Sequence, residues 1–196
     1  MKLALFDFDG TITRRDSFIH FIIFSIGFRR FLAGLFMLSP LLVAYKLNII
    51  SNAKAKEKVL NFFFRGWSVD RFRKAAYRYS REKLPLIINK TAMDRLNWHK
   101  QEGHKVIVVS ASFESLLIDW CSEQNIDLVG TKIEIKDAKL TGRFLSRNCY
   151  GIEKVKRIKE SIKLSDFEYI YAYGDSRGDR EMLALGDETY YKVFQR

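Results

Sequence analysis

Two carboxylates, Asp7 and Asp9, follow a short apolar run near the start of the chain, in the segment LALFDFDGT over residues 3–11. Such a run is typical of a buried parallel strand, and the glycine after the second carboxylate indicates a turn. An ionised carboxylate buried without a partner costs about several kcal/mol, so an acidic pair at the end of a buried strand requires a cation or a proton. The segment therefore predicts a strand that ends in a charged functional site.

The composition is that of a globular protein. The chain has 196 residues, of which 47% are hydrophobic and 29% are charged, and this length suits one domain with an insertion. Its two cysteines, Cys121 and Cys149, form no CxxC motif, which indicates a reducing compartment rather than a disulfide scaffold. Because the acidic motif already begins at residue 7, we expect no signal peptide and a cytoplasmic location.

Apolar runs typical of buried strands alternate along the chain with segments of helical character. Strands are predicted over 3–8, 105–110, 169–173 and 189–194, with a β-hairpin over 129–144. Helices are predicted over 51–64, 68–82, 86–101, 113–124, 152–162 and 178–185, the first two capped by Ser51 and Ser68. This alternation indicates an α/β fold with a doubly wound, mainly parallel sheet, in which ligands bind at the carboxyl ends of the strands.

An all-helical insertion, which we call the cap, is predicted over residues 14–84, between a core formed by residues 1–13 and 85–196. The cap holds 15 Lys and Arg against 4 Asp and Glu, whereas the rest of the chain holds 19 of each kind. A basic segment on a neutral body suggests an anionic partner, namely a phosphate substrate, nucleic acid or an acidic lipid surface. A merely solvated helix face would give the same pattern.

The cap begins with a strongly apolar stretch over residues 17–47. Within it, Phe31–Tyr45 carries no charge over 15 residues, and Arg29 and Arg30 precede this run. A membrane-spanning helix needs about 20 apolar residues, so the run is short for one, and Pro40 interrupts it. A buried or interfacial helical hairpin fits better, and contact between the cap and an anionic membrane is one expectation that follows.

Four polar motifs occur in an order that is specific, although each motif alone is weak. They are the Asp7/Asp9 pair, Ser110 after the second strand, Lys154 in GIEKV, and the loop GDSRGD with Asp175 and Asp179. Three of the four fall at predicted strand ends, so a parallel sheet would bring them to one edge. The three histidines, His20, His99 and His104, show no metal-ligand spacing and are predicted to be structural or exposed.

This set of motifs resembles the haloacid dehalogenase superfamily of phosphatases. The helical insertion after the first motif is similar to the C1-type cap of subfamily IB, which includes phosphoserine phosphatase and its relatives. The resemblance covers essentially the whole chain, but in the cap it is only compositional. It implies a Rossmann-like core, hydrolysis of a phosphate monoester and a requirement for Mg²⁺.

The resemblance also implies a role for each motif residue. Asp7 would be the nucleophile that forms an aspartyl-phosphate, and Asp9 would be the general acid and base. Asp7, the backbone carbonyl of Asp9 and Asp175 would bind Mg²⁺, which prefers such hard oxygen ligands, and Asp179 would support them from behind or through a water. The phosphate group and the rest of the substrate would be bound by Thr11, Ser110, Ala111, Lys154 and Asp16.

Three functions are compatible with the sequence. The first is a phosphatase for a small metabolite, such as an amino-acid or amino-alcohol phosphate. The second is the same chemistry on a phospholipid headgroup, such as phosphatidylglycerophosphate, at a membrane surface. The third is a non-catalytic module that binds anionic lipid or nucleic acid through its basic face, which would not require all of the motif residues. We therefore expect a phosphorylated small molecule as the partner and do not expect nucleic acid. Position 111 is Ala and position 16 is Asp, where phosphoserine phosphatases typically have Gly and Glu, and both differences argue against phosphoserine itself.

Overall fold

The computed structural model describes residues 1–195 and is built around two β-sheets. Five parallel strands form the main sheet in the order β3-β2-β1-β6-β7, and β4 and β5 form a separate antiparallel pair. The strands are β1 (Lys2–Phe6), β2 (Lys105–Phe113), β3 (Asp127–Thr131), β4 (Ile133–Lys136), β5 (Lys139–Phe144), β6 (Tyr169–Gly174) and β7 (Glu188–Tyr191). The prediction of a mainly parallel sheet is confirmed.

In the described part of the chain, the helices lie between these strands in sequence. The α-helices of the described residues are α1 (Ser17–Ile26), α2 (Phe28–Met37), α3 (Ser39–Lys46), α4 (Asn52–Phe64), α5 (Val69–Glu82), α6 (Lys90–Gln101), α7 (Glu114–Glu123), α8 (Ile152–Ser161) and α9 (Arg180–Leu183). Short 3-10 helices span Leu84–Ile87, Leu164–Asp166 and Arg177–Asp179. Ser51 and Ser68 cap α4 and α5 as predicted, because each side chain accepts a hydrogen bond from a backbone amide three residues further on.

Both faces of the main sheet are covered, as the doubly wound prediction requires. Leu3 and Leu5 of β1 pack into one apolar cluster, which includes residues of α8 and α9. Ala4 and Phe6 pack into a larger cluster on the opposite face, with residues of the cap and of α6 and α7. Strand β1 is therefore buried on both sides, which explains why its sequence is an uninterrupted apolar run rather than an alternating one.

The cap helices α1–α5 lie between β1 and α6 in the chain, and their two ends meet. The Arg14 amide donates to the Ile87 carbonyl at 2.8 Å, and the Asn89 amide donates to the Ile12 carbonyl at 2.8 Å. The chain thus leaves the core and returns to it at one place. We propose that residues 14–84 form the cap and that residues 1–13 and 85–196 form the core.

Several predicted elements differ from the structure at one end; the last strand, for example, ends at Tyr191 rather than at residue 194. The hairpin predicted over 129–144 includes residues that are not part of it, because Asp127–Thr131 is an edge strand parallel to β2. The actual hairpin joins β4 to β5 through Asp137 and Ala138, whose φ values are 49° and 56°, as a tight turn between two strands requires. The predicted helix over 86–101 starts later, at Lys90, because the Asn89 side chain caps it by accepting from the Thr91 amide.

The apolar stretch over 17–47 forms three helices, of which α2 and α3 are largely exposed. In α2 the only buried residue is Gly34, and α3 has none. Within residues 1–195, no single helix is long and apolar enough to cross a bilayer. Helices α1 and α2 meet that criterion only when taken together, and they are bent by 117° at their junction.

The interior of the cap should contribute strongly to stability. Phe21 is fully buried, and its ring packs against Phe64, Phe72 and Tyr79. We expect Phe21→Ala to lower the free energy of unfolding by about 3–5 kcal/mol, because the ring is lost and a cavity remains. Urea denaturation would measure this. Phe36→Ala is the control: that ring is 82% exposed, so its loss should change stability by less than about 0.5 kcal/mol.

Candidate active site

The polar motifs meet at the carboxyl ends of three adjacent strands. Asp7 directly follows β1, and its amide extends the pairing with β6 by donating to the Tyr173 carbonyl at 2.9 Å. The pairing of β2 with β3 shifts register between Val109 and Phe113, so the strand is irregular around Ser110. A cavity of about 300 Å³ opens there. Its lining includes Asp7, Asp9, Ser110, Ala111 and Lys154 from the core, and Asp16, Leu42, Tyr45 and Lys56 from the cap.

Lys154 lies at the base of this cavity and is almost completely buried, with 1% exposure. Its ammonium group donates to Asp7 Oδ1 at 2.5 Å, to Asp179 Oδ1 at 2.7 Å and to the Val109 carbonyl at 2.6 Å. A lysine ammonium has three hydrogens, so these contacts use its full donor capacity. Helix α8 thereby connects the ends of β1, β2 and β6 through one side chain.

Burial and charge act against each other in this cluster. Burial lowers the pKa of Lys154, but Asp7 and Asp179 more than offset it and raise that pKa. Burial would raise the pKa of Asp179, but Lys154 and hydrogen bonds from Ser176 bring it below its ordinary value. Burial raises the pKa of Asp7 to about 8, although Lys154 opposes the shift. One lysine therefore does not compensate all the negative charge of the site.

The residues present fit a divalent cation. Asp7, Asp175 and Asp179 each offer a carboxylate oxygen, and these oxygens lie within 4.8 Å of one another. When all three carboxyl groups are ionised, they face one ammonium and leave an excess of two negative charges. Moreover, Asp175 Oδ1 is buried without a hydrogen-bond partner, an arrangement that costs free energy unless a cation fills it. A small set of carboxylates with room for waters is the kind of site that Mg²⁺ occupies.

Gly10 allows Asp175 to approach the first motif. The residue has a φ of +88°, a conformation that favours glycine, and a Cβ at this position would collide with the Asp175 carboxylate. The turn after Asp9 therefore depends on glycine for two independent reasons.

Asp179 organises the loop that carries Asp175. Its Oδ2 accepts from the Asp175 amide at 3.1 Å, the Ser176 amide at 2.8 Å and the Ser176 hydroxyl at 2.7 Å, while Oδ1 accepts from Lys154. With both oxygens occupied in this way, Asp179 is better placed to hold the loop than to ligate a cation directly.

Asp9 has different surroundings from Asp7. Its carboxylate accepts from the Ser17 amide at 2.7 Å and from the Ser112 hydroxyl. Burial raises the pKa of Asp9, Asp16 adds to this, and Lys56 opposes it. A carboxyl group with a raised pKa holds a proton more readily, which suits a general acid. Ser17 and Ser112 were not predicted, although Ser112 lies in the same strand-end motif as Ser110.

The remaining predicted residues differ in placement. Ser110 is buried, and its hydroxyl accepts from the Ser112 amide at 2.9 Å, which leaves its hydrogen available to a ligand. Asp16 faces the cavity and also caps α1 by accepting from the Ile19 amide at 2.9 Å. Thr11 is buried with an unpartnered hydroxyl but, among residues 1–195, is not part of the cavity lining. It can therefore shape the site only from behind.

Lys56 is a cap residue that sequence reasoning missed. Its ammonium group donates to the Ala111 carbonyl at 2.8 Å and lies 5.4 Å from the centre of the Phe113 ring. Among residues 1–195, the charged side chains that the cap contributes to the cavity lining are Lys56 and the acidic Asp16. In the sequence, Lys56 cannot be told apart from Lys54 and Lys58 in the run KAKEK.

Comparisons with known proteins agree with this fold. The haloacid dehalogenase-like hydrolase family model matches residues 4–184. Protein CicA of Caulobacter vibrioides is 31% identical over 195 residues, which cover 98% of this chain and 86% of that protein. Phosphoserine phosphatase of Archaeoglobus fulgidus is 32% identical over 108 residues, 54% of this chain and 30% of that protein.

Solved structures show the same fold. A protein of unknown function from Bordetella pertussis Tohama I has a TM-score of 0.84 at 21% identity, covering 96% of this chain and 88% of that one. A substrate-bound phosphoserine phosphatase has a TM-score of 0.63 at 22% identity, covering 97% and 85%. Because the family model covers residues 4–184, the chain belongs to the haloacid dehalogenase-like hydrolases, and the family and enzyme class predicted from the sequence are confirmed.

Binding of Mg²⁺ should stabilise the folded protein. A ligand that binds only the native state raises stability with its concentration, by about 2.7 kcal/mol at a hundredfold excess over the Kd. We expect Mg²⁺ to raise the melting temperature, and we expect Asp175→Asn to abolish this rise. Differential scanning fluorimetry with and without chelator would measure both. Asp166→Asn, at an exposed site outside the motifs, is the control and should keep the full shift. An equal shift in Asp175→Asn would contradict the predicted ligand.

The charge of Asp7 should make the metal-free fold less stable at alkaline pH. Its pKa is raised from 3.8 to about 8 by burial, so ionisation costs the folded state more than the unfolded chain. This loss of stability is absent below pH 3.8 and reaches its full size once the pH has passed about 8. Urea unfolding in chelator should therefore show wild type losing more stability than Asp7→Asn between pH 5 and pH 8. Parallel losses in the two proteins would show that Asp7 does not carry this effect.

Proposed function

We propose that the protein hydrolyses a phosphate monoester with Mg²⁺ through an aspartyl-phosphate on Asp7. One observation carries the proposal: the Asp7 carboxylate lies at the base of a cavity, held by Lys154 and within 4.8 Å of the Asp175 and Asp179 carboxylates. Nucleophile, charge balance and ligands for a cation thus converge on one point. A module that only binds anions would need none of these buried carboxylates, since they repel an anion.

The proposed reaction has two steps that use Asp9 in opposite directions. In the first step an Asp7 oxygen attacks phosphorus, the bond from phosphorus to the leaving oxygen breaks, and Asp9 gives that oxygen its proton. In the second step Asp9 takes a proton from water, whose oxygen attacks phosphorus and releases inorganic phosphate and free Asp7. The raised pKa of Asp9, caused mainly by burial, supports its protonated start.

The other residues position the phosphoryl group. Ser110 would donate its free hydroxyl hydrogen, and Lys154 would offset charge on Asp7 as the phosphate arrives. The Ala111 backbone lies beside them at the cavity wall. Asp7, Asp175 and the Asp9 carbonyl would hold Mg²⁺, which when bound neutralises charge on the transferring group.

A small metabolite is the proposed substrate class. The cavity of about 300 Å³ is near the lower limit of ordinary ligand pockets. On the cap side it presents Asp16 and Lys56, which have opposite charges and would suit a substrate with both an amino and an acidic group. An amino-acid or amino-alcohol phosphate meets this description, and phosphoserine phosphatases are among the proteins that resemble the chain.

A phospholipid headgroup is the second candidate substrate, and one observation favours it. Leu42 and Tyr45 line the cavity from α3, which continues directly into exposed apolar residues of the cap. Activity assays with Mg²⁺ on amino-acid phosphates, sugar phosphates, nucleotides and lipid headgroup phosphates would separate the candidates. If only lipid phosphates were hydrolysed, the substrate would be a phospholipid headgroup rather than a small metabolite.

Replacing Asp7 and replacing Asp9 should impair different steps of the reaction. Asp7→Asn should lower turnover of p-nitrophenyl phosphate by at least ~10³-fold and form no phosphoenzyme, because the nucleophile is gone. Asp9→Asn should instead accumulate protein that is heavier by one phosphoryl group. The p-nitrophenolate group leaves without help from an acid, so the first step still occurs, whereas hydrolysis of the aspartyl-phosphate needs a base. Intact-protein mass spectrometry after rapid quenching would detect it.

Asp166→Asn again serves as the control and should turn over substrate like wild type. Phosphoenzyme in Asp7→Asn would remove Asp7 as the nucleophile. Turnover at the wild-type rate in Asp9→Asn would rule out Asp9 as the general acid and base.

A further inference from the structure

Helices α2 and α3 and the residues just after α3 expose an unusual amount of apolar side chain to water. Phe36 is 82% exposed, Ile49 is 71%, and Met37 and Leu47 are each about two-thirds exposed. Monomeric proteins rarely show contiguous apolar patches of large extent unless the patch binds something. We call this area the hairpin surface and define it by Phe28, Leu32, Phe36, Met37, Leu47 and Ile49.

Helix α2 packs against the rest of the cap through one side and exposes apolar residues of the hairpin surface on another. The helix is anchored through Phe31, whose ring lies 6.3 Å from that of Phe63, and through Gly34, where a Cβ would collide with the same ring. Phe28, Leu32 and Phe36 are spaced four residues apart and therefore share a different face. That face points to solvent, where a soluble helix normally carries polar residues.

The positive charge around the hairpin surface favours an anionic partner. Residues 17–56 contain no Asp or Glu, and their Lys and Arg include Arg29 and Arg30 in α2 and Lys46 at the end of α3, all three exposed. An apolar face bordered by cations complements an anionic bilayer, in which apolar side chains enter the acyl boundary and cations meet lipid phosphates. A second copy of the chain would instead bring two basic surfaces together.

We propose that the hairpin surface docks the protein onto anionic phospholipid bilayers. Leu42 and Tyr45 of α3 line the catalytic cavity, so docking would bring the mouth of the cavity close to the lipid headgroups. The proposal goes beyond the proposed hydrolysis, because docking requires no turnover and would hold for either class of substrate.

Co-sedimentation with vesicles tests the proposal. The full chain is mixed with vesicles of phosphatidylcholine alone or of phosphatidylcholine with phosphatidylglycerol, at low and high salt. We expect pelleting only with the anionic vesicles, weakened by salt because screening reduces the attraction of Arg29, Arg30 and Lys46 to the surface. The Asp7→Asn protein should pellet equally, which separates docking from catalysis.

The variants localise the contact. The double variant Phe36→Ser/Leu47→Ser should weaken binding to anionic vesicles at least about tenfold, because two side chains that enter the bilayer are shortened and made polar. The matched control is Leu86→Ser, which changes a leucine that is 72% exposed but lies outside the hairpin surface, and it should bind like wild type. Turnover of p-nitrophenyl phosphate should be unchanged in both, which shows that they are folded.

Three results would overturn the proposal. The first is wild type that stays in the supernatant with anionic vesicles. The second is Leu86→Ser weakening binding as much as the double variant. The third is a dimer in light scattering without vesicles that the double variant abolishes, which would assign the hairpin surface to a second copy of the chain.

Discussion

The ion cluster around Lys154 is the interaction on which the rest of the site depends. One ammonium group contacts Asp7 after β1, the Val109 carbonyl in β2 and Asp179 beyond β6, and it is almost fully buried. Loss of one partner from such a cluster leaves an uncompensated buried charge, which typically costs about 3–5 kcal/mol. The three strand ends are therefore held together by the same contacts that hold Asp7 in place for its proposed role as nucleophile.

The two carboxylates of the first motif have different neighbours, which suit the different roles proposed for them. Asp7 faces the core lysine and the other acidic groups, whereas Asp9 is held by Ser112 of the core and by the Ser17 amide, the first residue of α1. The cap thus takes part in positioning Asp9 directly. Since the cap also contributes Asp16 and Lys56 to the cavity, movement of α1 relative to the core would alter both the environment of Asp9 and the shape of the pocket.

Much of the fold could be predicted because periodicity and apolar runs are local signals. The buried strands β1, β2 and β6 were recognised, and the capping serines of α4 and α5 were correct. The errors arose where local signals overlap. The edge strand β3 and the following hairpin lie only one residue apart, at Lys132, so they read as one element. Only pairing of β3 with β2 separates them.

By itself, the sequence determined the order of elements, the basic cap and which acidic and hydroxyl side chains stand at strand ends, because these depend on residue type and spacing along the chain. The tertiary structure decided that Lys154 binds Asp7 and Asp179, that Ser17 and Ser112 hold Asp9, and that Lys56 rather than Lys54 or Lys58 reaches the cavity. It also decided that one face of α2 is left in water. These contacts join residues distant in sequence, and their geometry follows from packing of the whole chain rather than from any local pattern.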